Sequence, residues 1–490
     1  MIELLNLSKE LFERWNAEQV QYCHWKSNEH LIDGLNGDTD LDILVDLHDK
    51  INAENTLLLC KYKKFFPQYG SKYQDVDEWI GFDSLSGRLI HVHLHYRMIT
   101  GHKGLKEYEL PWAELALNTR VLDPQTSVYI MKPDLELITL YTRIGLKASI
   151  RQVHQAKKGT FELAQDIKKE IEYLKKRIDW KSVESHLKSI YGKSAEQFYQ
   201  IIKLSEIDSK TFLQLINITT DNGREYRKHG KIISTVQKYY YAVVLKSISY
   251  AKNVRKLNII TRKIRSSKKG LLVAFIGQDG SGKSTVTDEI EKWLTWKIEA
   301  KKFYLGSGEQ YHSWRKRLHN HLSVNKNIII SCLCAWLTVS DYVALSRSAF
   351  RTIKKAQKYT GKGGIAIFDR YPQIEYEGIN DGPKIRSNYL PRVTNSLIKA
   401  YIVYCANREE KYLNAAVQIT PEIIFKLILP PEVSIQRKPE EDYNIIIKKH
   451  EIIKNLKFND SEVYIIDAAE CYESEIIKIK GLIWQQIQSL

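Results

Sequence analysis

The stretch "LLVAFIGQDGSGKST", residues 271–285, constrains the fold more than any other part of the chain. Leu271 to Gly277 form an apolar run without polar alternation, the pattern of a parallel strand buried on both faces. Gly277-Gln278-Asp279-Gly280-Ser281-Gly282-Lys283-Ser284-Thr285 follows at once, matching glycine, four residues, then Gly-Lys-Ser/Thr. An amphipathic helix, "VTDEIEKWLTWKI", comes next. Strand, loop and helix in this order make a phosphate cradle. The glycines let successive backbone N–H groups turn toward phosphate oxygens, and the helix N-terminus adds the positive end of its dipole. Lys283 is placed to reach β- and γ-phosphates, and Ser284 to ligate Mg2+. An α/β domain is therefore expected from about residue 266.

Three later stretches fit the same domain. "GKGGIAIFDRYP" reads as a turn, a buried strand over 365–368, then Asp369-Arg370-Tyr371 at its carboxyl end, where open α/β sheets gather ligand groups. Asp369 suits the metal or its water, and Arg370 a bidentate phosphate clamp. "LILPPEVSIQRKPEED" predicts a strand at 427–429 and a helix from near Pro431 that exits into Arg437 and Lys438, a position suited to a lid. "EVYIIDAAE" predicts a last strand ending at Asp467.

Together "GQDGSGKST", "DRY", "EVSIQRK" and "YIIDAA" resemble the thymidylate kinase group of P-loop nucleoside monophosphate kinases, over roughly residues 270–490. The resemblance implies a parallel sheet with helices on both faces, and ATP and Mg2+ as cofactors. It implies a nucleotide cradle of Gly277, Gly280, Ser281, Gly282, Lys283, Ser284 and Thr285. Asp279 and Arg370 would contact the acceptor, Arg437 would stabilise transition-state charge, and Arg347, 22 residues before Asp369, would meet the acceptor phosphate. Where that group carries an Arg-Glu-Pro-Gly type turn after its second strand, this chain has "FYLGSGEQYHSW". The change falls at the acceptor pocket, so the implied activity is phosphoryl transfer to a nucleotide or a phosphorylated sugar.

Toward the N-terminus, "GDTDLDILVD" (residues 37–46) reads as a turn entering a strand. Alternate strand residues share a face, so Asp40 and Asp42 converge and can jointly hold a divalent metal, while Asp38 and Asp46 read as turn and strand-end residues. "EWIGFDS" and "RLIHVHLHYRMI" predict a hairpin turning at Leu85, Ser86 and Gly87. His91, His93 and His95 then share one face, suited to a softer metal, a phosphate, or plain solvent exposure. Ser27, twelve residues, then Asp40-Leu41-Asp42-Ile43 resembles the nucleotidyltransferases of the polymerase-β-like superfamily. Those keep glycine before the serine, where this chain has Lys26, and a third carboxylate on a neighbouring strand, where this chain has the histidines. The resemblance implies a nucleotidyltransferase-like α+β fold for residues 1–150, with activity left open. The combination resembles two-domain bacterial proteins that join such a domain to a thymidylate-kinase-like one.

The formal net charge of +16 is concentrated: residues 151–270 hold 27 Lys and Arg against 11 Asp and Glu, and the remaining 370 residues balance to zero. A basic helical region is expected over 151–265. Residues 231–270 carry eleven cations and no acid, interleaved with Tyr239, Tyr240, Tyr241 and Tyr250. Such a helix suits packing with a solvated basic face, an anionic membrane surface or lipid-linked substrate, or a nucleic-acid backbone. The six scattered cysteines form no CxxC pair, so neither a disulfide framework nor a structural zinc site is indicated. The N-terminus lacks a cationic head followed by an apolar run. The thirteen-residue apolar stretch "IIISCLCAWLTVS" falls short of the roughly twenty residues a membrane span needs and predicts a buried helix. A cytoplasmic chain is expected, with peripheral attachment to the inner membrane face left open. Two function classes stay open: an ATP- and Mg2+-dependent phosphotransferase acting on a small phosphorylated acceptor, and a nucleotide-gated ATPase docking through its basic region. Homodimerisation is left open with them.

Overall fold

The computed structural model describes residues 4–67, 73, 75–102, 105–228, 230, 233, 236, 239, 240, 243, 263–267, 269–305, 328–378, 381–392, 396–437, 443–458 and 460–490, with the backbone alone at 328–335 and 392. Contacts divide the chain into two units, residues 1–264 and 265–490. The basic helical region over 151–265 falls in one unit with residues 1–150, and the run of helices opens at Pro133, where a proline just ahead of an acid-rich turn predicts a helix start.

The first unit opens with α1 (Asn6–Ala17), β1 (Tyr22–His24), α2 (Leu31–Leu35), β2 (Asp40–Val45), α3 (Lys50–Leu59), β3 (Lys63–Pro67), β4 (Val76–Asp83) and β5 (Arg88–His95). There follow β6 (Met98–Thr100), β7 (Tyr108–Leu110), α4 (Ala113–Asn118), β8 (Val121–Leu122) and β9 (Tyr129–Ile130). The main sheet runs β3-β4-β5-β2-β1-β9-β8. Strand alternation sorts its faces: Leu41, Ile43, Val45, Val92 and Leu94 bury one face against Phe12, Trp15 and Leu57. The intervening Asp40, Asp42, His91 and His93 are left on the other. β2 and β5 are parallel, with Asp40 opposite His91 and Asp42 opposite His93. β4 and β5 are antiparallel, with Glu78 opposite His93.

Six further helices follow among the described residues: α5 (Pro133–Leu146), α6 (Ile150–Lys157), α7 (Gln165–Lys175), α8 (Trp180–Tyr191), α9 (Ala195–Lys203) and α10 (Ser209–Asn222). Proline stands in the first turn of α5, a capping box joins Ser149 and Gln152 ahead of α6, and Asp208 caps α10. Their shared core includes Ile138, Tyr141, Leu174, Leu187, Phe198 and Phe212. The basic stretch 231–270 falls largely outside the described residues, and the membrane and nucleic-acid expectations lie there with it.

The second unit contains β10 (Leu271–Gly277), α11 (Lys283–Thr295), β11 (Ala300–Phe303), α12 (Ile328–Thr360), β12 (Ile365–Phe368), α13 (Ile385–Tyr389), α14 (Ser396–Val417), β13 (Ile423–Ile428), α15 (Pro431–Arg437), α16 (Tyr443–Asn455), β14 (Glu462–Asp467) and α17 (Tyr472–Ser489). All strand pairs are parallel, in the order β11-β12-β10-β13-β14. The apolar run of β10 is thus the central strand, buried from Leu271 to Ile276. Leu272, Ala274 and Ile276 face Ile353, Ala356 and Ile452 of α12 and α16. On β13 the strand begins at Ile423, earlier than the expected 427–429. Lys426 interrupts the apolar run but is buried, its ammonium donating to the carbonyls of Lys454 (3.0 Å) and Leu456 (2.6 Å) at the end of α16. The apolar stretch 328–340 opens α12, with Val339 buried and Trp336 49% exposed. Among the described residues no helix is long and apolar enough to cross a membrane.

Candidate functional site

At the carboxyl end of β10 the chain reverses through residues 277–282 into α11. Gly280 and Gly282 take φ of +81° and +83°, a left-handed region costly for residues with a Cβ, and this lets the loop wrap the first N–H groups of α11. Lys283 folds back onto the loop, its Nζ donating to the carbonyls of Gly277 (2.8 Å) and Gln278 (2.7 Å). Burial pushes its pKa down to about 8, against the pull of Asp279 and with the help of Arg370. Ser284 and Thr285 are exposed on the first turn of α11, and the Ser281 hydroxyl is buried without a hydrogen-bond partner among the described residues.

β12 lies beside β10, so Asp369 and Arg370 emerge next to the loop. Asp369 Oδ1 is buried without a hydrogen-bond partner among the described residues. With the exposed Ser284 hydroxyl it supplies oxygen donors of the kind a hard cation such as Mg2+ takes. Arg370 Nη1 stands 3.7 Å from Asp381 Oδ1, and its guanidinium is 5.9 Å from the ring centre of Tyr304. Tyr371 is structural: its buried hydroxyl donates to the Ile419 carbonyl. A cavity of about 450 Å3 opens between these groups, lined among others by Asp279, Lys283, Arg370, Asp381, Lys384 and Lys449. A second, of about 180 Å3, shares Arg370, Asp381 and Lys384 and reaches Tyr342, Ser346 and Glu409.

Asp381, Lys384, Lys448 and Lys449 were not singled out by the sequence reading. The lysine pair in "IIIKKHEII" is the one signal available, a basic edge on an apolar helix; Lys449 Nζ lies 2.6 Å from Asp279 Oδ2. α15 rests on the loop backbone, with Ser434 Oγ donating to the Asp279 carbonyl (2.9 Å) and Arg437 Nη1 to the Gly280 carbonyl (3.1 Å). Lys438 and the "GSG" turn after Leu305 lie outside the described residues. Arg347 is not brought to the site. Tyr342, Leu345, Ser346 and Ala349 form the face of α12 that lines the smaller cavity, and Arg347, off that face, is exposed and lines neither cavity.

The lowered pKa of Lys283 gives a measurable linkage. A bound polyphosphate favours the charged ammonium, so above pH 8 nucleotide binding is expected to take up a proton, and affinity to fall as pH rises toward 10. Calorimetry in buffers of differing ionisation enthalpy checks this. No proton uptake at pH 9 would place Lys283 away from the ligand.

No family model matches the chain. Among curated proteins it is similar to the "uncharacterized ATP-binding protein YghR" of Escherichia coli strain K12, 29% identical over 220 residues, 42% of this chain and 84% of that one. It is also similar to the "uncharacterized ATP-binding protein YghS" of the same strain, 23% identical over 239 residues, 44% of this chain and 91% of that one. Among solved structures it is similar to deoxyadenosine kinase from M. mycoides with bound dATP, at 16% identity and a TM-score of 0.28, over 44% of this chain and 98% of that one. The same enzyme with bound dCTP gives 16% and 0.26, over 45% of this chain and the whole of the other.

The first unit gathers a second constellation. Lys26 Nζ (2.7 Å), His93 Nδ1 (3.2 Å) and His95 Nε2 (3.1 Å) all meet Asp42 Oδ1. His91 Nδ1 lies 2.8 Å from Asp40 Oδ1. Glu78 Oε2 takes the far side of both rings, 2.7 Å from His91 Nε2 and 2.9 Å from His93 Nε2. The histidines are therefore no solvent face: His91 and His95 are buried. The carboxylate that meets His91 and His93 from the neighbouring strand β4 is Glu78. Burial opposes ionisation of Asp42, yet Lys26, His93 and His95 hold its carboxyl well below the usual range. Burial likewise opposes the charge on His93, but Glu78 and Asp42 raise it to about 10, whereas burial drops His95 to about 3. Cations stand around the cluster: burial, then Lys26, push Lys106 down to about 8, and the Arg143 guanidinium, then burial, push Lys147 to about 6.

Behind it, Glu136 of α5 is buried, accepting from Asn28 N (2.9 Å) and Nδ2 (2.6 Å), while Asn28 Oδ1 lies 2.5 Å from His24 Nδ1. Burial raises Glu136 to about 7, with Asn28 opposing and Glu170 adding. Between the unfolded value near 4.5 and this folded value the native state retains a proton that the unfolded chain has lost, so this contribution is present at low pH and is lost as pH rises through 7. Glu136→Gln keeps the group neutral. Relative to wild type, the variant is expected to gain about 2–3 kcal/mol between pH 5 and pH 8 in chemical denaturation. A pH-independent difference would refute the assignment.

Proposed function

We propose that the second unit is an ATP- and Mg2+-dependent phosphotransferase acting on a small phosphorylated acceptor, a nucleotide or a phosphorylated sugar. The observation that carries this is the meeting of the glycine loop, Lys283 and Arg370 around one cavity at the carboxyl ends of β10 and β12, with Asp369 directly before Arg370 at the end of β12. The names of the relatives YghR and YghS, both ATP-binding proteins, support ATP as donor. Ser284 and Asp369 would hold the Mg2+, which when bound neutralises charge on the β- and γ-phosphate oxygens. Lys283 is assigned to the transferring phosphate, and Arg437, on the loop, to the charge that develops during transfer. Arg370, Lys384 and Lys449 are assigned to the acceptor's phosphate. Asp279, paired with Lys449, holds that lysine at the cavity wall.

γ-labelled ATP offered with a panel of nucleosides, nucleoside monophosphates and sugar phosphates tests the proposal. Label transfer to one acceptor class is expected. ATP hydrolysis with no acceptor labelled would instead favour the nucleotide-gated ATPase.

For the first unit we propose a nucleotidyltransferase-like fold that binds a ligand without transferring a nucleotide. The ammonium of Lys26 on Asp42 Oδ1 supports this, since it stands where two-metal transfer needs a divalent ion. Metal-dependent nucleotidyl transfer by the purified chain, lost in Asp42→Asn, would overturn it.

A further inference from the structure

We propose that Asp40, His91 and His93 of the first unit bind a divalent transition metal of the zinc, iron(II) or manganese(II) class, with Glu78 orienting both imidazoles.

The donor atoms of this triad lie within 4.8 Å of one another. The edge of a tetrahedron with metal bonds of about 2.0 Å is about 3.3 Å, so side-chain rotations suffice to close it. Donor orientation strengthens the case. Glu78 Oε2 takes Nε2 of both rings, which directs the two Nδ1 atoms toward Asp40 and Asp42. A carboxylate holding the far N–H of a ligating histidine is the usual outer support of a metal site, because it fixes the tautomer and raises the basicity of the ligating nitrogen. One glutamate here serves two rings at once.

Charge points the same way. In direct contact are three carboxylates, Asp40, Asp42 and Glu78, and one ammonium, Lys26. Even with His93 charged, these groups sum to a net negative charge, which favours a cation at the cluster. A second triad, Asp42, His93 and His95, also has suitable spacing, but the Lys26 ammonium already stands on Asp42, so the proposal is committed to Asp40, His91 and His93.

Donor type selects the metal. Two imidazoles and one carboxylate suit zinc, iron(II) or manganese(II), whereas magnesium prefers all-oxygen surroundings and keeps its water. This separates the site from a carboxylate-only magnesium pair at Asp40 and Asp42, and it stands independently of phosphoryl transfer in the second unit.

The test titrates the chelator-treated full chain with zinc chloride and with magnesium chloride by calorimetry, in wild type and in Asp40→Asn, His93→Gln, Glu78→Gln and Lys283→Ala. The expected result is one zinc ion per chain, not displaced by a thousandfold excess of magnesium. Affinity should fall at least 100-fold in Asp40→Asn and His93→Gln, fall about 10- to 100-fold in Glu78→Gln, and stay unchanged in Lys283→Ala. Far-ultraviolet circular dichroism confirms folding; should His93→Gln fail to fold, Asp40→Asn, at a partly exposed position, decides alone. Absence of stoichiometric zinc binding, or binding unaltered in Asp40→Asn, or equal competition by magnesium, would overturn the proposal.

Discussion

Lys283→Ala is expected to lower kcat for phosphoryl transfer by about 10²- to 10³-fold, while the melting temperature of the apo chain stays within about 3 °C of wild type. The two halves have one cause. Without nucleotide the ammonium is held off bulk water by the loop, and burial already disfavours its charge, so its two bonds to the Gly277 and Gln278 carbonyls do little more than offset desolvation. Losing it costs the fold little. With nucleotide present, the same enclosed charge acts at low effective dielectric on the oxygens that gain charge during transfer. Saturating ATP separates chemistry from binding: the loss should sit in kcat, with ATP affinity weakened less. A variant retaining more than a tenth of wild-type kcat would remove Lys283 from the transferring phosphate, and with it the proposed mechanism.

How much of this was legible in the sequence follows from the range of the interactions. The strand-loop-helix around 271–295 depends on local chemistry: an uninterrupted apolar run, glycines where φ is positive, and a helix directly behind. Asp369 was visible because it ends a short apolar strand. Lys384 and Lys449 carry no such local mark, since each reaches the cavity only through the packing of an element distant in sequence. Arg347 shows the opposite failure, a residue close in spacing to a family position but rotated off the face of α12 that lines the cavity. In the first unit the alternation of Asp40 and Asp42 was readable. The part played by Glu78 was not, because strand register, set by the turn between Asp83 and Arg88, decides that it stands opposite His93. Likewise Lys426 reads as an interruption of β13 until the free carbonyls ending α16 are in place to receive it.

Phe425→Ala is expected to destabilise the second unit by about 3–5 kcal/mol, and Phe425→Leu by about 1–2 kcal/mol. Phe425 is the middle rung of an aromatic ladder across three adjacent parallel strands, in register with Phe275 of β10 and Tyr464 of β14. Its ring stacks on Phe275 at 5.0 Å and on Tyr464 at 5.8 Å between centroids, and it is fully buried. Alanine leaves a cavity beside the central strand and removes both stacking contacts. Leucine restores most of the apolar volume but neither stack, so the gap between the variants isolates cavity from stacking. Phe275 lies two residues before Gly277, and Gly277 pairs with Leu427, so slack introduced at Phe425 sits beneath the strand ends that carry the phosphate loop. ATP binds the native loop and not the unfolded chain, so it should restore part of the lost stability in wild type and Phe425→Ala alike, and somewhat less in Lys283→Ala, in proportion to its weakened affinity. Denaturant titrations with and without ATP read both effects. Equal destabilisation by alanine and leucine would show that stacking, not cavity formation, dominates at this rung.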